Sequence, residues 1–473
     1  MGIPPPRCRM NLWSRLSFTF SFILLLSASL QARPNVLFIA VDDLNTRLRC
    51  YGFEHIHSPN INALAKRGVR FDRAYCQYPS CGPSRASVLT GLRPHSTGIL
   101  SNKINFREHL PDALTLPLHF KNNDYYAARV GKIFHQSVPT DIGTGGPDDP
   151  DSWTEVINPR GRDKDEEDQL TVYTPQLPLP DQMCFLKAAG KDSEQTDGIA
   201  IDATISLLKE HRDEPFFIAT GLYRPHIPYI APKTYFDLYS LEKTLLPFLP
   251  VEYSNSVPAA ALASTSNWPN FGTSELQARE CILAYDACVS FVDAQIGRLL
   301  SAVESLGLAE NTIIVLWGDH GYHLGEHGLW RKNSLFEESA RAPLIIYDPR
   351  LGDNQADCKR IVEFVDIFPT VTSLAGLPVP QSLDGVSLVP LLQDPEAEWD
   401  RPAFCEVHFR EHNGRSVRTE EWRYIEWGEK GKAGIQLYDQ VGDALEMNNL
   451  AQNPAHRETI ATLQVLLRNH FSQ

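Results

Sequence analysis

The chain has 473 residues, a formal net charge of −14, and a hydrophobic fraction of 42%. This length is enough for a large buried core and a second, smaller domain. An acidic chain is a poor candidate for binding nucleic acid, and any anionic substrate would need a locally positive pocket.

The first 32 residues have the pattern of a secretory signal peptide. Three arginines precede an apolar run from Leu16 to Leu26, and small residues continue to Ala32, after which we predict cleavage. The apolar run is short for a membrane span, and an uncleaved N-terminal anchor is the alternative. We therefore expect a secreted or periplasmic protein without a stable membrane span.

The first strand expected after the leader is the continuous apolar run from Asn35 to Val41. Such a run is typical of a central parallel strand covered on both faces. Asp42 and Asp43 follow directly, at the end of the strand where open α/β sheets bind ligands. Two adjacent carboxylates repel each other unless a cation or solvent intervenes. The pair is therefore a candidate metal site, with a polar turn as the alternative.

A cysteine stands at the start of a predicted helix in the segment that begins C-G-P-S-R at Cys81. Pro83 suits the first helical position, and the free N–H groups of a helix N-terminus bind anions. Arg85 would add a planar guanidinium that fits a tetrahedral oxyanion. Taken alone, such a cysteine is more often a buried structural residue.

Further basic side chains follow two predicted strands. Lys132 and His135 come after the strand-like residues 125–130 and could converge on one anion. His226 follows the apolar run 215–221 and lies between prolines that would fix the backbone around it. In isolation, each is also compatible with an ordinary surface or loop residue.

The apolar run from Thr312 to Trp317 predicts another central strand, which leads into Asp319 and His320. A second acidic strand end in the same sheet favours a shared ion, although a turn alone would explain it. Lys332 follows shortly afterwards. By itself it would be interpreted as a solvated cation.

The order of elements predicts the fold class. Buried strands alternate with helices through residues 33–395, which indicates an α/β domain with a large, mixed, mostly parallel sheet between helices. Residues 396–473 have shorter strand signals and a helical tail, so we expect a C-terminal subdomain with a small antiparallel sheet and a closing helix. Eight cysteines follow the leader without a C-x-x-C pattern, and the spacing leaves any disulfide pairing open.

The C-x-P-S-R segment resembles the signature of the sulfatase family. The G-K-x-x-H order at Lys132 and His135, the P-H-x-P form at His226 and the acidic strand ends support the resemblance, which is closest to the iduronate-2-sulfatase branch. It covers nearly the whole chain after the leader. It implies an alkaline-phosphatase-like fold and a sulfuric ester hydrolase acting on a sulfated sugar or polysaccharide.

The resemblance also implies roles for individual residues. Cys81 would be converted to formylglycine by the formylglycine-generating enzyme, and the aldehyde hydrate would be the nucleophile. His226, with Lys332, would protonate the leaving alcohol, and His135 would take a proton from the hydrate. The implied metal ligands are Asp42, Asp43, Cys81, Asp319 and His320. The implied catalytic and sulfate-binding residues are Cys81, Arg85, Lys132, His135, His226 and Lys332.

Oxygen-rich ligation favours Ca²⁺ or Mg²⁺ over zinc, and the resemblance makes Ca²⁺ the first choice. Two other functions remain open at this point. One is a phosphate or phosphonate ester hydrolase on the same scaffold. The other is a non-catalytic polysaccharide-binding protein in which Cys81 remains a thiol. The residues leave the natural sugar and its sulfated position open.

Overall fold

The computed structural model of the chain describes residues 1–4, 33–352 and 356–472. The chain divides into two units, Met1–Ala32 and Arg33–Gln473, and every element below belongs to the second. Most of the predicted signal peptide, residues 5–32, lies outside the described residues. The predicted cleavage and export therefore stay predictions.

An eight-stranded sheet forms the centre of the second unit, in the order β13-β2-β12-β9-β1-β7-β3-β4. Only β12 runs antiparallel to its neighbours, so the sheet is mixed and mostly parallel, as the sequence predicts. The strands of the described residues are β1 (Asn35–Val41), β2 (Val69–Tyr75), β3 (Tyr126–Gly131), β4 (Glu155–Ile157), β5 (Thr171–Val172), β6 (Cys184–Ala188), β7 (Phe216–Leu222), β8 (Tyr229–Pro232), β9 (Thr312–Gly318), β10 (His323–Leu324), β11 (Trp330–Arg331), β12 (Leu344–Tyr347), β13 (Ala356–Glu363), β14 (Ala403–Phe409), β15 (His412–Arg418), β16 (Trp422–Trp427) and β17 (Gly434–Asp439).

Helices cover both faces of this sheet. All α-helices of the described part of the chain, including those outside these layers, are α1 (Pro59–Arg67), α2 (Cys81–Thr90), α3 (Pro94–Thr97), α4 (Phe106–His109), α5 (Leu116–Lys121), α6 (Arg162–Asp165), α7 (Thr196–Glu210), α8 (Lys233–Phe236), α9 (Ala259–Leu262), α10 (Glu275–Ser305), α11 (Glu337–Ala340), α12 (Ile367–Leu374), α13 (Val389–Gln393) and α14 (Arg457–Phe471). None of these helices has the length and apolar character needed to cross a membrane.

The central strands are apolar on both faces, and this produces the layers. Successive residues of a strand point to opposite sides of the sheet. Phe38 of β1 packs in one core with α2, α5 and α12, whereas Leu37 and Ile39 pack in the other with α1, α7 and α10. A helix–sheet–helix sandwich follows, which confirms the predicted fold class.

Apolar residues that recur at three- and four-residue steps predict one long helix from Glu275 to Leu306, and α10 begins at the predicted residue. The Ser274 side chain accepts a hydrogen bond from the Gln277 N–H, while the Gln277 side chain accepts one from the Ser274 N–H, which is a capping box. Ile282, Val289 and Ile296 recur at seven-residue spacing and are fully buried against the sheet. The helix ends at Ser305, one residue before the predicted end.

The C-terminal part of the chain forms the expected small sheet. Strands β14 to β17 are antiparallel and lie in chain order. Leu463 and Leu467 of α14 pack on Val417 and Tyr424 of this sheet, so α14 is the predicted closing helix. The boundary between residues 395 and 396 stays a prediction.

Cysteines in the described residues form no disulfide. All eight are free thiols; Cys50 is half-buried and the other seven are buried. Cys8 lies outside the described residues. Most of these side chains therefore serve as small apolar residues of the interior.

Candidate active site

The predicted polar residues meet at one edge of the large sheet. Strands β9, β1, β7 and β3 are adjacent and parallel, so their carboxyl ends lie side by side. Asp42 and Asp43 follow β1, Asp319 follows β9, Lys132 follows β3, and His226 lies four residues beyond β7. This is the edge at which open α/β sheets bind ligands.

Helix α2, which carries the cysteine, follows β2 in the sequence and begins at this edge of the sheet. Helix α2 begins at Cys81 itself, with Ser80 as its N-cap, so the prediction that Pro83 occupies the first helical position is wrong. Pro83 is instead the third residue of the helix. The Asn102 side chain accepts hydrogen bonds from the Gly82 N–H at 2.8 Å and the Ser80 hydroxyl at 3.0 Å. One otherwise free helix donor is satisfied in this way.

Cys81 is surrounded by charged and titratable groups. Its Sγ lies 3.3 Å from the Lys332 Nζ, 3.3 Å from the His320 Nε2 and 3.9 Å from the Asp43 Oδ1. Burial raises the pKa of the Cys81 thiol well above its usual range, although the Lys132 and Lys332 charges oppose that shift. As a plain thiol, Cys81 would therefore be a weak nucleophile, because the thiolate is the reactive form.

A sealed ionic layer lies beneath the cysteine. The Arg85 Nη2 lies 3.0 Å from Asp42, and its Nε lies 3.0 Å from Asp319. The Lys132 Nζ binds the other Asp42 oxygen at 2.7 Å. Burial alone would raise the pKa of Asp42, but the charges of Lys132, His226 and Arg85 outweigh it and hold that pKa well below its usual range. In this arrangement Arg85 and Lys132 bind carboxylates inside the protein and do not line the cavity described below.

Four side chains could hold one cation. Asp43, Cys81, Asp319 and His320 each offer a ligand atom, and these atoms lie within 4.8 Å of one another. The Asp43 backbone N–H also donates to the Asp319 Oδ1 at 3.0 Å, which fixes the two strand ends together. Asp42, the fifth predicted ligand, belongs to a neighbouring group with Cys81 and His226, and both of its oxygens bind cations of the chain.

The orientation of His320 supports a cation at this place. Its Nδ1 lies 2.9 Å from the Gly321 carbonyl oxygen, so Nδ1–H donates and the Nε2 lone pair faces Asp43 at 3.4 Å and Asp319 at 3.5 Å. Burial lowers the pKa of His320 despite the charge of Asp319, which favours the neutral ring. A lone pair that faces two carboxylates is stabilised when a metal ion lies between them. The donor set therefore fits a divalent cation.

A cavity of about 350 Å³ opens over this centre, and its wall includes Asp43, His135, His226 and Lys332. The His226 Nδ1 donates to the Ile227 carbonyl oxygen at 2.6 Å. Burial lowers the pKa of both histidines well below the usual value. The charge of Lys332 lowers the pKa of His226 further, and the charge of Lys132 does the same for His135. A larger cavity of about 810 Å³ contains none of the predicted site residues.

Several residues near the site were missed by the sequence analysis. Asn102, Lys103, Asp181 and Arg331 all line the same cavity, and nothing in their local sequence sets them apart from surface loop residues. Backbone strain marks the same region: Asp43 has φ 59°, Arg331 68° and Asn333 69°. Non-glycine residues rarely adopt this left-handed conformation, which recurs at functional sites.

Solved structures of known proteins define the class of fold. A structure of BT4656 in complex with D-glucosamine-2-N,6-O-disulfate matches 93% of this chain and 98% of its own, with a TM-score of 0.71 and 24% identity. The phosphonate monoester hydrolase SpPMH from Silicibacter pomeroyi matches 92% of this chain and 95% of its own, with a TM-score of 0.75 and 22% identity. The fold is alkaline-phosphatase-like.

Sequence comparisons give the family. The Sulfatase family matches residues 34–377, and the C-terminal region of N-sulphoglucosamine sulphohydrolase matches residues 325–473. A sulfatase of Formosa agariphila is 35% identical over 92% of this chain and 86% of its own length. Iduronate 2-sulfatase of Mus musculus is 33% identical over 80% of this chain and 76% of its own length. The chain belongs to the sulfatase family.

Proposed function

We propose that this protein hydrolyses a sulfate ester on a sugar, with specificity similar to that of iduronate 2-sulfatase. Family membership supports sulfate ester hydrolysis, and 33% identity to mouse iduronate 2-sulfatase makes a uronate 2-O-sulfate the first substrate to test. One observation carries the proposal. Cys81 stands at the start of a buried helix, with the Lys332 Nζ and the His320 Nε2 each 3.3 Å from its sulfur.

The environment of Cys81 favours modification over thiol chemistry. Burial keeps the thiol protonated, so an unmodified Cys81 would be a weak nucleophile, and membership of the sulfatase family supports an oxygen nucleophile in its place. Formylglycine made from Cys81 would supply that oxygen, and a cation held by Asp43, Asp319 and His320, Ca²⁺ or Mg²⁺, would polarise it and offset charge on the sulfate.

The remaining groups divide into a cavity wall and a supporting layer. Lys332 lies in the wall and forms an ion pair with Asp43. Burial would lower the pKa of Lys332, but Asp43 outweighs it and keeps the ammonium charged, so it can bind sulfate oxygens. Arg85 and Lys132 hold the carboxylates of Asp42 and Asp319 in place and add positive potential below the anion.

Two histidines in the cavity wall are available for proton transfer. We assign His226 to protonate the leaving alcohol and His135 to accept a proton when the sulfate is released. The His226 Nδ1 is already bound to a carbonyl, so the proton would be transferred at the Nε2. Because the lowered pKa keeps the free ring neutral, the Nε2 would have to gain that proton once the anionic substrate is bound. The His135 Nδ1 is buried without a hydrogen-bond partner among the described residues, so it can accept one from a bound group.

Maturation and location form part of the proposal. Conversion of Cys81 requires the formylglycine-generating enzyme as a partner, and the N-terminal leader directs the chain to the periplasm or the exterior. Sulfated polysaccharides are found outside the cytoplasm, where an exported sulfatase would meet them. Domain boundaries at residues 32 and 395 belong to the same proposal.

A phosphonate or phosphate ester hydrolase is the second candidate. Two phosphonate monoester hydrolases share the fold with TM-scores of 0.75. Phosphonate and sulfate esters present similar tetrahedral oxyanions, and both reactions need electrostatic stabilisation of those oxygens. The family assignment favours the sulfate ester.

Turnover of an aryl sulfate and of an aryl phosphonate by the same preparation separates the two activities. We expect the sulfate to be preferred, and the peptide that contains Cys81 to carry an aldehyde by mass spectrometry. Replacing Cys81 by alanine should lower sulfate turnover about 10⁴-fold or more, because the nucleophile is lost.

Cys281→Ala is the matched control, since Cys281 is equally buried but lies on α10. It should leave turnover within about twofold. Preference for the phosphonate would assign the second candidate. An unmodified thiol in a preparation that binds sulfated polysaccharide without turnover would indicate the non-catalytic binding protein.

A further inference from the structure

Two cations in the cavity wall have no part in the chemistry described above. Lys103 and Arg331 line the cavity together with His226 and Lys332. Each is adjacent in sequence to a residue that contacts α2. Lys103 follows Asn102, which accepts from the Gly82 N–H at 2.8 Å, and Arg331 precedes Lys332, whose Nζ lies 3.3 Å from the Cys81 sulfur. Both therefore share one cavity with the side chains around Cys81.

Arg331 is held in one orientation and keeps an unused donor. Its guanidinium lies over the Phe271 ring, with the Cζ 4.9 Å from the ring centroid, and forms an ion pair with Asp181. The Nε is buried without a hydrogen-bond partner among the described residues, so a ligand in the cavity would meet the terminal nitrogens of this partly exposed side chain. A guanidinium fixed in this way presents a planar set of donors that fits a carboxylate or a sulfate.

Lys103 supplies a second positive charge at the cavity mouth. It is exposed and forms no ion pair with any residue that the structure describes, unlike Arg331. Asp181 is the one carboxylate in this outer part of the wall, and its side chain is about half exposed. The outer wall therefore carries one net positive charge in addition to that of Lys332.

We infer that Lys103 and Arg331 form a second anion subsite, which binds a carboxylate or a further sulfate on the sugar unit whose ester is hydrolysed. The inference rests on the proposed function. The cavity volume of about 350 Å³ lies near the lower end of small-ligand sites and suits one sugar unit. Arg331 already pairs with the Asp181 carboxylate, so a bound anion would share this guanidinium with Asp181.

The test compares substrates with and without a second anionic group. We would measure kcat and KM for a uronate 2-O-sulfate disaccharide, its carboxyl-reduced counterpart, a disulfated glucosamine and an aryl sulfate. In Lys103→Gln and Arg331→Gln we expect kcat/KM for a substrate with the second anion to fall about tenfold, mainly through KM. For the carboxyl-reduced sugar and the aryl sulfate it should stay within about twofold.

Two variants guard against a folding effect. Arg331 packs on Phe271, so its replacement affects stability as well, whereas Lys103 is exposed and its replacement leaves the interior intact. Lys209→Gln is the control, because Lys209 is exposed at the end of α7, which leads into the amino end of β7 at the opposite sheet edge. Lys209→Gln should leave kcat/KM unchanged for every substrate.

Each result decides one question. Loss on the uronate arm alone assigns a carboxylate to the subsite, and loss on the disulfated arm alone assigns a sulfate. Equal losses on the acidic and carboxyl-reduced sugars, together with no change on the disulfated sugar, would overturn the inference. If the wild type hydrolyses no sulfate ester at all, the proposed function fails and this inference fails with it. If aryl sulfate turnover is normal but neither variant shows a selective loss on the uronate or the disulfated sugar, the subsite alone is overturned.

Discussion

Two buried ionic clusters in this molecule have similar parts. In the site cluster, Arg85 bridges Asp42 and Asp319 at 3.0 Å each. In the C-terminal cluster, Arg423 bridges Glu337 and Glu446, and the Glu337 N–H donates to the second Glu446 oxygen at 2.9 Å. Burial of charge and strongly shifted pKa values therefore occur at both places.

What differs is the residues beside each cluster. Arginines outweigh the effect of burial and lower the pKa of Glu337 to about 2, so its charge is balanced within the protein. An imidazole near two carboxylates adjoins both clusters, as His320 at the site and as His327 beside Glu338 and Glu446. Beside Arg85 there are, in addition, a cysteine and a cavity. A perturbed carboxylate therefore indicates function only when a reactive group and an open space adjoin it. The following experiments test that distinction.

The largest effect is expected from a change in the site cluster. Asp319→Asn removes one of the grouped anionic ligands, so the purified protein should lose its divalent ion and aryl sulfate turnover should fall about 10³-fold. Elemental analysis gives the metal content. The control is Asp293→Asn, because that buried carboxylate binds the Ile61 N–H at 2.7 Å at the start of α1. Unchanged metal content in Asp319→Asn would contradict the assigned ligand set.

A matched change in the C-terminal cluster should affect folding instead. Arg423→Met leaves Glu337 and Glu446 without their shared partner, and an uncompensated buried charge costs about 3–5 kcal/mol of unfolding free energy. Chemical denaturation measures this change. The kcat of the folded fraction should remain within about twofold of the wild type. A fully folded variant that has lost turnover would show that the two clusters are not separate in function.

The smallest effect concerns the pH dependence of stability beside the site. His323 is fully buried, and burial lowers its pKa to about 3. The unfolded chain takes up a proton near pH 6.5 that the folded chain excludes, so stability falls as the pH drops from about 6.5 towards 3. His323→Gln should reduce this slope by about 1.4 kcal/mol per pH unit.

Denaturation midpoints between pH 6 and 5 measure that slope. His57→Gln, at an exposed position, should leave it unchanged. An equal slope in the wild type and in His323→Gln would mean that the ring is protonated without penalty, which its burial and the absence of a partner for its buried Nδ1 among the described residues argue against.

Much of the fold was predictable because the signals lie in contiguous residues. The apolar run from Asn35 to Val41 defines β1, and the seven-residue recurrence of Ile282, Val289 and Ile296 defines α10. Asp42, Asp43, Asp319 and His320 could be nominated because each follows a buried strand. The family resemblance of the C-x-P-S-R segment, which Cys81 begins, was likewise present in the local sequence.

Only the tertiary structure decided how these residues pair. Arg85 and Lys132 turn inward to Asp42, and Asn102 rather than the helix's own residues satisfies the Gly82 N–H. The cavity wall adds Lys103 and Arg331, which no local pattern marks. The physical reason is that strand and helix preferences act between neighbouring residues. Contacts such as that between Asp43 and Asp319, 276 positions apart, depend on which strands lie side by side in the folded sheet.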